Sequence, residues 1–460
     1  MPQSNPAIVI GGGISGLACA LRLQQLGLPA ILLEAEDHPG GLVGTVERDG
    51  ALFESGPQSF QGTPAILDLA KHVGMEDELL TADPKAPRFV LQRGKLREIP
   101  MSPAALLTSS LLTAGSRWKI ASEPLKKTRP PVQEESVADF VRRKFGHEIL
   151  EYLVAPFVSG VYAGDPEKLS LKAAFPTLEE WEREYGSILR GAMKSRPNKE
   201  KDSGPPPLCS FRRGLGSLTR AVAEKLGDSL RLGSRVLAIH HSGNAVARSF
   251  ELRVSSGDRE ETIKAESIVI AAPAYVASRL VSSVSAPLAQ TLSGIAYAPV
   301  AVVAAEYFDK QIGEPLEGFG FLVPRSEKLR TLGTVWNSSL FSGRGRPGTA
   351  VMTSFAGGAT DPEIAGEPDT EIADTVHGEN ARVLKISGSP IASAVFRYPK
   401  ALPQYNLGHG HIVAAIRDAE REIPGLFFAG NYLEGPALGK CIEVGNLRAE
   451  AVRDYLRPSS

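Results

Sequence analysis

A glycine-rich turn near the N-terminus constrains the fold of this chain more than any other feature. The motif Gly11-x-Gly13-x-x-Gly16 separates an apolar run, Ala7 to Ile10, from a stretch with the apolar periodicity of a helix. A second apolar run, Ala30 to Leu33, follows and ends in Glu34. In such units the first glycine makes a tight turn, the second lets the backbone approach a pyrophosphate, and the third allows close helix–strand packing. The order of these segments predicts a βαβ unit that binds a dinucleotide.

The residues around this turn form the first candidate cofactor site. A pyrophosphate would lie at the start of the helix, where unpaired N–H groups and the helix dipole favour an anion. Glu34 has the spacing expected of an acceptor for ribose hydroxyls. The Pro39-Gly40-Gly41 segment after the acid is typical of flavoproteins and favours FAD over NAD. The predicted cofactor-binding residues of this region are Gly11, Gly12, Gly13, Ile14, Ser15, Gly16, Glu34, Ala35 and Gly41.

Composition excludes several classes of function. The chain has 460 residues, enough for about two to four domains, and 42% of them are hydrophobic. Its net charge of −1 provides no field to attract nucleic acid. Cys19, Cys209 and Cys441 lie far apart without metal-ligand spacing, so we expect buried thiols, no metal site and a reducing compartment.

The sequence predicts a cytoplasmic protein without a spanning helix. The first apolar run lacks the basic segment of a secretory signal, and no run approaches ~18 uninterrupted apolar residues. The segment from Pro100 to Leu125 combines small apolar residues with Arg117, Trp118 and Lys119. Two interpretations stay open for it: a pair of core helices, which we favour, and peripheral contact with the inner face of a membrane. The sequence also leaves open whether the chain forms a homodimer.

The order of predicted elements indicates a discontinuous α/β protein with a Rossmann-like domain, a mixed-sheet domain and a helical subdomain. An amphipathic helix is predicted from Glu135 to Leu153, and a loop from Lys194 to Pro207. A final apolar strand and helix are expected to return to the N-terminal sheet and close the cofactor site. Strands are predicted at Leu230 to His240, Phe250 to Val254, Ile268 to Ala272, Val300 to Tyr307 and Gly425 to Gly430. The expected domains are 1–80, 205–273 and 424–460 for the dinucleotide, 81–99 and 274–423 for the substrate, and 100–204 for the helical subdomain.

Several longer motifs carry a resemblance to one family. They are Phe53 to Phe60 (FESGPQSF), Ala86 to Val90 (APRFV), Pro156 to Asp165 (PFVSGVYAGD), Lys168 to Phe175 (KLSLKAAF), Gly318 to Leu322 (GFGFL) and Gly430 to Glu443 (GNYLEGPALGKCIE). Together they resemble the oxygen-dependent, FAD-containing protoporphyrinogen oxidases, nearer the plant type, within the wider amine-oxidase superfamily. The resemblance implies that a porphyrinogen loses electrons in three two-electron steps, while O2 reoxidises non-covalently held FAD to give H2O2.

This resemblance also implies a substrate site. Arg88 would anchor a propionate carboxylate through two parallel hydrogen bonds. Leu322, Val335 and Phe355 would enclose the apolar macrocycle, and the backbone carbonyl of Gly160 would face its pyrrole nitrogens. Val335 is smaller than the leucine usual in the family, so pocket volume and substrate choice are in question.

Further flavin contacts follow from the same resemblance. Gly56, Pro57, Gln58 and Ser59 would lie along the isoalloxazine and ribityl chain, and Val236 would contact the adenine through its backbone. Tyr398 would pack near the ring. Pro436, Ala437 and Leu438 would present backbone N–H groups to the flavin pyrimidine edge at the start of the last helix, where the dipole stabilises negative charge.

Two expectations concern features of the family or of catalysis for which the sequence gives little support. The family's leucine-rich helix is poorly supported between Asp361 and Ser389, which leaves the local fold open. No side chain is a convincing acid–base catalyst, and His147, His409 and His411 are interpreted as structural residues on surface or loop segments.

The alternatives are a coproporphyrinogen III oxidase with the same fold, another superfamily enzyme such as a polyamine oxidase or carotenoid desaturase, and a binding module that has lost its flavin.

Overall fold

The first and last parts of the chain meet in one parallel sheet. The computed structural model describes residues 6–195, 206–242 and 249–457, so the predicted loop from Lys194 to Pro207 lies mostly outside the described residues. All neighbouring strands of this sheet are parallel. Their order across the sheet is Leu230–Arg231, Ala30–Leu33, Ala7–Ile10, Ile268–Ile270 and Leu426–Phe428. The predicted strands Ala7–Ile10 and Ala30–Leu33 and the return of the C-terminal strand are confirmed.

The predicted strand from Leu230 to His240 is two strands in different sheets. Gly233 between them has φ 62°, in the left-handed region, where the chain turns out of the parallel sheet. The second strand belongs to an antiparallel sheet of Ser234–Ser242, Ser249–Ser256 and Arg259–Ala265. Two smaller antiparallel sheets consist of Thr45–Arg48 with Ala51–Glu54, and of Phe60–Gln61, Leu208–Phe211 and Leu79–Thr81.

A seven-stranded mixed sheet forms the second large layer. Gly320–Leu322 pairs in parallel with Arg88–Gln92, and the other described pairings are antiparallel. The strand order is Ala392–Pro403, Tyr297–Phe308, Thr349–Gly357, Thr331–Val335, Gly320–Leu322, Arg88–Gln92 and Lys95–Glu98. The predicted strand from Val300 to Tyr307 lies within Tyr297–Phe308, so its placement in a mixed sheet is confirmed.

One face of the mixed sheet is covered by the helix Asp369–Leu384, where the sequence left the fold open. Ile372, Val376 and Leu384 are buried against the sheet. The buried Glu379 carboxylate accepts hydrogen bonds from the backbone N–H groups of Arg330 and Thr331, both at 2.9 Å. The segment whose fold the sequence left open is therefore a helix, in which polar residues are buried through bonds to the sheet instead of facing solvent.

The region predicted as a helical subdomain is built of short helices, and the one long helix predicted within it is not continuous. The helix expected from Glu135 to Leu153 is interrupted at Gly146, whose φ is 94°. A π-helical turn, Leu150–Val154, then leads into Ala155–Tyr162. The α-helices of this region are Pro103–Thr108, Ala114–Ser122, Val137–Lys144, His147–Ile149, Ala155–Tyr162, Leu171–Ala174, Pro176–Tyr185 and Ile188–Lys194.

The remaining helices pack around the two large sheets. Within the described ranges, no helix is both long enough and apolar enough to cross a bilayer. The α-helices are Ile14–Gln25, Pro64–His72, Gly216–Leu226, Ala274–Leu280, Ala286–Ser293, Asn337–Leu340, His409–Glu422, Asn431–Glu434 and Leu438–Leu456. The 3-10 turns are Glu76–Glu78, Glu123–Leu125, Gly227–Ser229, Asp309–Gln311, Arg325–Glu327 and Ile364–Gly366.

Candidate functional site

The glycine-rich turn has the geometry that its spacing predicts. Gly11 has φ 108°, and a Cβ on Gly16 would lie only 1.9 Å from the carbonyl oxygen of Gly11, so neither position tolerates a side chain. A Cβ on Gly13 would meet no atom within 4 Å. The backbone at Gly13 is therefore open to an approaching ligand, at the start of the helix Ile14–Gln25.

The N-terminus of this helix offers its N–H groups to an anion. Its N-cap residue, Gly13, has no side chain to accept them, and the first turn carries no acidic residue. Such a helix start binds phosphate groups through free N–H donors and the helix dipole. The segment Pro39 to Gly41 lies beside it, since Gly40 donates its N–H to the carbonyl of Gly12 at 2.8 Å. A Cβ on Gly41 would lie 3.4 Å from the Cα of Gly13.

Glu34 is held against the turn by backbone hydrogen bonds. Its carboxylate accepts the N–H of Gly12 and, at 2.8 Å, the N–H of Glu36. The strand that carries Val236 begins beside this acid, because Ser234 donates its N–H to the carbonyl of Glu34 at 2.7 Å. The two predicted nucleotide contacts, Glu34 and Val236, therefore belong to adjoining segments. Their roles toward ribose and adenine, like that of Ala35, stay predictions.

The last helix packs directly on the first. A Cβ on Gly445 would lie 2.3 Å from the carbonyl oxygen of Ser15, so the two backbones cross in contact. Leu438–Leu456 begins after Ala437, with no side-chain cap and no acid in its first turn. The predicted flavin contacts Pro436, Ala437 and Leu438 thus lie at a second helix start, which has no side-chain cap.

Cys441 lies in this last helix as a buried, protonated thiol. Burial raises its pKa to about 11, and its Sγ lies 3.8 Å from the carbonyl oxygen of Gly435. Cys19 and Cys209 are also buried, and burial raises the pKa of the Cys19 thiol to about 12. The expectation of buried thiols is confirmed. Within the described residues, no cluster of three or more His, Cys, Asp or Glu has the arrangement of a metal site.

The Ser55 to Ser59 turn follows the strand Ala51–Glu54 and precedes the strand Phe60–Gln61. A Cβ on Gly56 would lie 2.0 Å from the carbonyl oxygen of Leu42, so this close approach requires glycine. The buried Gln58 donates from Nε2 to the carbonyl of Gly56 at 2.7 Å. Burial raises the pKa of the Tyr398 hydroxyl, and the Ser55 side chain acts in the opposite direction. The turn and the aromatic residue predicted to flank the flavin are therefore neighbours.

The predicted substrate residues share one face of the mixed sheet. Leu322 pairs with Gly333, which pairs with Phe355, so all three lie in one row across the strands. Arg88 and Val335 both pair with Gly320 in the row two residues away. Because side chains two residues apart on a strand lie on the same face, Arg88, Leu322, Val335 and Phe355 line a common surface. The row of Leu322 continues from Phe355 through Val302 to Phe396. Tyr398 is two residues from Phe396 on the same strand, so its side chain lies on this face too.

Gly160 approaches this surface from the helical subdomain. A Cβ on Gly160 would lie 2.6 Å from Cδ2 of Leu322. The helix Ala155–Tyr162 therefore packs over the predicted substrate face, opposite the side covered by Asp369–Leu384. The structure thus brings Gly160, from the PFVSGVYAGD motif, together with the predicted substrate residues of the sheet.

Arg88 is exposed and free to bind an anion. Its guanidinium carbon lies 5.3 Å from the centre of the Phe319 ring, an arrangement that orients the cation without neutralising it. In the part of the chain that the structure describes, no carboxylate lies within ion-pair distance of Arg88. A ligand carboxylate would therefore meet an uncompensated positive charge.

A buried ion pair beside the turn was missed by the sequence analysis. Glu54 and Arg344 are each only 1% exposed, and Arg344 Nη1 lies 3.3 Å from Glu54 Oε1. Burial raises the pKa of Glu54 to about 7, with the Arg344 guanidinium acting in the opposite direction. The only local signal was an acid after three apolar residues in Ala51–Glu54, immediately before the glycine turn. Nothing in the sequence near Arg344 indicated its partner.

The prediction that three histidines lie on surface or loop segments is correct only in part. His409 does not lie on a surface or loop: it begins the helix His409–Glu422, is 3% exposed, and its Nε2 lies 2.9 Å from the carbonyl oxygen of Tyr432. Burial lowers its pKa. His147 and His411 are exposed, although both lie on helices.

Comparison with known proteins agrees with this geometry. Residues 14–453 match the family Flavin containing amine oxidoreductase. The chain is 38% identical to Protoporphyrinogen oxidase 1, chloroplastic, of Spinacia oleracea, over 98% of this chain and 84% of that protein. It is 28% identical to Coproporphyrinogen III oxidase of Bacillus subtilis (strain 168), over 98% of both. Its fold is similar to a crystal structure from Exiguobacterium sp. 255-15, provisionally named a protoporphyrinogen oxidase, with TM-score 0.82, 25% identity, and coverage of 98% and 99%.

Proposed function

The chain belongs to the protoporphyrinogen oxidases within the flavin containing amine oxidoreductases, and we propose from this membership and its site that it oxidises protoporphyrinogen IX to protoporphyrin IX. The reaction consumes three O2 and releases three H2O2 for the six hydrogens that the macrocycle loses. The observation that carries the proposal is the apolar face with Arg88 at its edge, next to the turn and helix starts suited to FAD. Coproporphyrinogen III is the alternative substrate, supported by relatives of lower identity.

The described residues fit FAD. The open backbone at Gly13 and the two uncapped helix starts would hold the pyrophosphate and the pyrimidine edge, and Glu34 the ribose. Bound FAD accepts the electron pairs of the substrate and passes them to O2. We propose that it is held without a covalent bond, since Cys441 is buried and its pKa is raised, which keeps the thiol from acting as a nucleophile.

The substrate residues would act by binding, orientation and exclusion of water. Leu322, Val335 and Phe355 present half-buried apolar side chains to a flat apolar macrocycle. The absence of a side chain at Gly160 allows Leu322 to approach this helix closely, and Arg88 would pair with a propionate at the exposed edge. No side chain is assigned as a proton acceptor, because hydride transfer requires position more than a base.

We propose that the chain has the three parts expected from its sequence: a dinucleotide domain, a substrate domain and a helical subdomain. We further propose that the helical subdomain, residues 100–204, contacts a membrane surface from the cytoplasmic side. Trp118 and Leu125 are 66% and 81% exposed, and Lys126 lies 5.5 Å from the Trp118 ring. Exposed apolar side chains beside cations bind the interface of a bilayer. Co-sedimentation with anionic vesicles tests this contact; a homodimer remains a separate proposal, tested by sedimentation velocity.

The activity is tested with porphyrinogens reduced under anaerobic conditions. The purified protein is expected to show an FAD absorption spectrum, and addition of O2 should produce porphyrin fluorescence faster than autoxidation. Protoporphyrinogen and coproporphyrinogen are compared side by side at matched concentration. A rate no higher than autoxidation with both would refute the oxidase function, and a higher kcat/KM for coproporphyrinogen would correct the substrate.

A further inference from the structure

A segment of the substrate sheet is bonded to both ends of the turn that is proposed to face the flavin. Residues 337–344, here named the strap, connect Thr331–Val335 to Thr349–Gly357. At its start, Asn337 donates from Nδ2 to Gln58 Oε1 at 2.7 Å. At its end, Arg344 pairs with Glu54 at 3.3 Å and accepts the N–H of Leu52 on its carbonyl at 2.9 Å.

These bonds are made where water cannot replace them. Asn337 is 2% exposed and Gln58 is 5% exposed, while the Glu54–Arg344 pair is buried as well. A buried polar group that loses its partner pays the full cost of desolvation, so each bond strongly favours one arrangement. Both polar atoms of the Gln58 amide are engaged, since Nε2 donates to Gly56 and Oε1 accepts from Asn337. The orientation of the Gln58 side chain is therefore determined.

Arg344 also connects the turn to a third segment. It donates from Nη2 to the Ser210 hydroxyl and to the carbonyl of Phe211, the latter at 3.1 Å. Glu54 in turn accepts the N–H of Leu215 at 3.0 Å. The Glu54–Arg344 pair therefore connects three segments: the antiparallel strands Thr45–Arg48 and Ala51–Glu54, residues 210–215, and the strap. Through this pair the position of the turn depends on the position of the substrate sheet.

We propose that Asn337 and Arg344 are positioning residues. Through their bonds to Gln58 and Glu54, they hold the Ser55 to Ser59 turn against the flavin. The inference rests on the proposed function, because the contact of this turn with FAD is itself part of that proposal. Val335, which lies two residues before Asn337, belongs to the predicted substrate surface. The strap therefore sets the distance between the substrate-facing strand and the flavin-facing turn, and neither residue needs to touch the reacting atoms.

The first test measures backbone protection in the FAD-free protein. In Asn337→Leu and Arg344→Met, hydrogen–deuterium exchange at the amides of Leu52 and Ser55, which donate to the carbonyls of Arg344 and Gly44, should be about tenfold faster than in the unchanged protein, as expected when a buried hydrogen bond that holds this segment is lost. Arg346→Met is the matched control, since Arg346 lies two residues beyond the strap and pairs with Glu306 at 2.7 Å instead of with a residue of the turn.

The second test measures the affinity for FAD by titrating the FAD-free protein and following flavin fluorescence. Both strap variants should bind FAD about tenfold more weakly, whereas Arg346→Met should bind as the unchanged protein does. Equal exchange and equal affinity in the strap and control variants would overturn the proposal. Should Arg344→Met not fold, Asn337→Leu carries both measurements alone. An unchanged protein that binds no FAD would refute the proposed function, whereas the exchange data still report on the strap.

Discussion

Replacing Arg88 by alanine tests the proposed substrate-binding face directly. Its guanidinium is exposed, lies over the Phe319 ring at 5.3 Å and has no carboxylate partner among the described residues. The side chain therefore contributes little to folding, and the variant should keep its stability within about 0.5 kcal/mol. The effect should appear when a propionate binds.

The expected magnitude follows from the exposure of Arg88. A hydrogen bond to a charged group contributes roughly 1.5–3 kcal/mol, and solvent at the edge of the sheet favours the lower value. A loss of about 1.4 kcal/mol is a tenfold change in an equilibrium constant, so KM should rise about tenfold. Because the propionate is remote from the carbons that are oxidised, kcat should change little.

The assay follows porphyrin fluorescence after anaerobic reduction of the substrate, with the acid and its dimethyl ester compared. The ester removes the carboxylates, so Arg88→Ala and the unchanged protein should have the same KM for it. Arg382→Ala is the control, because Arg382 is exposed on the helix that covers the opposite face of the sheet. An unchanged KM for the acid, or the same tenfold difference with the ester, would refute the carboxylate role of Arg88.

Two further predictions concern the packing that shapes the site. Gly445→Ala would place a Cβ 2.3 Å from the carbonyl oxygen of Ser15, and it should lower the free energy of unfolding by roughly 1–3 kcal/mol in denaturant titrations and weaken FAD binding. His409→Gln should reduce the loss of stability on acidification. Burial lowers the pKa of folded His409, despite the opposing charge of Glu134, so the unfolded chain binds the proton more readily. The contribution of His409 to stability is therefore constant at pH values well above 6.5. As the pH decreases below 6.5, this contribution decreases by up to about 1.4 kcal/mol per pH unit.

Matched variants separate these effects from general damage. Gly378→Ala adds a methyl group where no atom lies within 4 Å, in the interior of a helix, and it should stabilise the protein by roughly 0.5–1 kcal/mol. A similar effect of the Gly378 and Gly445 substitutions would contradict the close crossing. His411→Gln removes an exposed histidine of the same helix as His409 and is the control for His409→Gln. Parallel pH profiles for the two histidine variants would show that His409 does not titrate as described.

The βαβ unit was predictable because its determinants are local. The short approach between Gly16 and Gly11 spans five residues, and the strands Ala7–Ile10 and Ala30–Leu33 are buried apolar runs bounded by turns. Each depends on sterics and hydrophobic burial that neighbouring residues reveal. Roles of the substrate residues came instead from a resemblance, and the structure adds that Arg88, Leu322, Val335 and Phe355 share a face.

Other elements depended on partners that no local pattern contains. The helix Asp369–Leu384 carries Glu379 and Asn380 inside, because backbone donors of Arg330 and Thr331 and the hydroxyl of Ser354 bond to them. By periodicity alone these polar residues argue against a buried helix. In the same way, Gly146 breaks a helix that the apolar spacing predicts to be continuous.

The sequence by itself determined the dinucleotide-binding unit, the return of the C-terminal strand and the family, since these follow from short motifs and from apolar runs. Tertiary structure alone decided that Glu54 meets Arg344 and that Gln58 meets Asn337, across 290 and 279 residues. A buried charge or amide is stable only when its partner is present. Such pairs are visible only when the folded chain brings distant segments together, and here they connect the mixed sheet to the turn that is proposed to face the flavin.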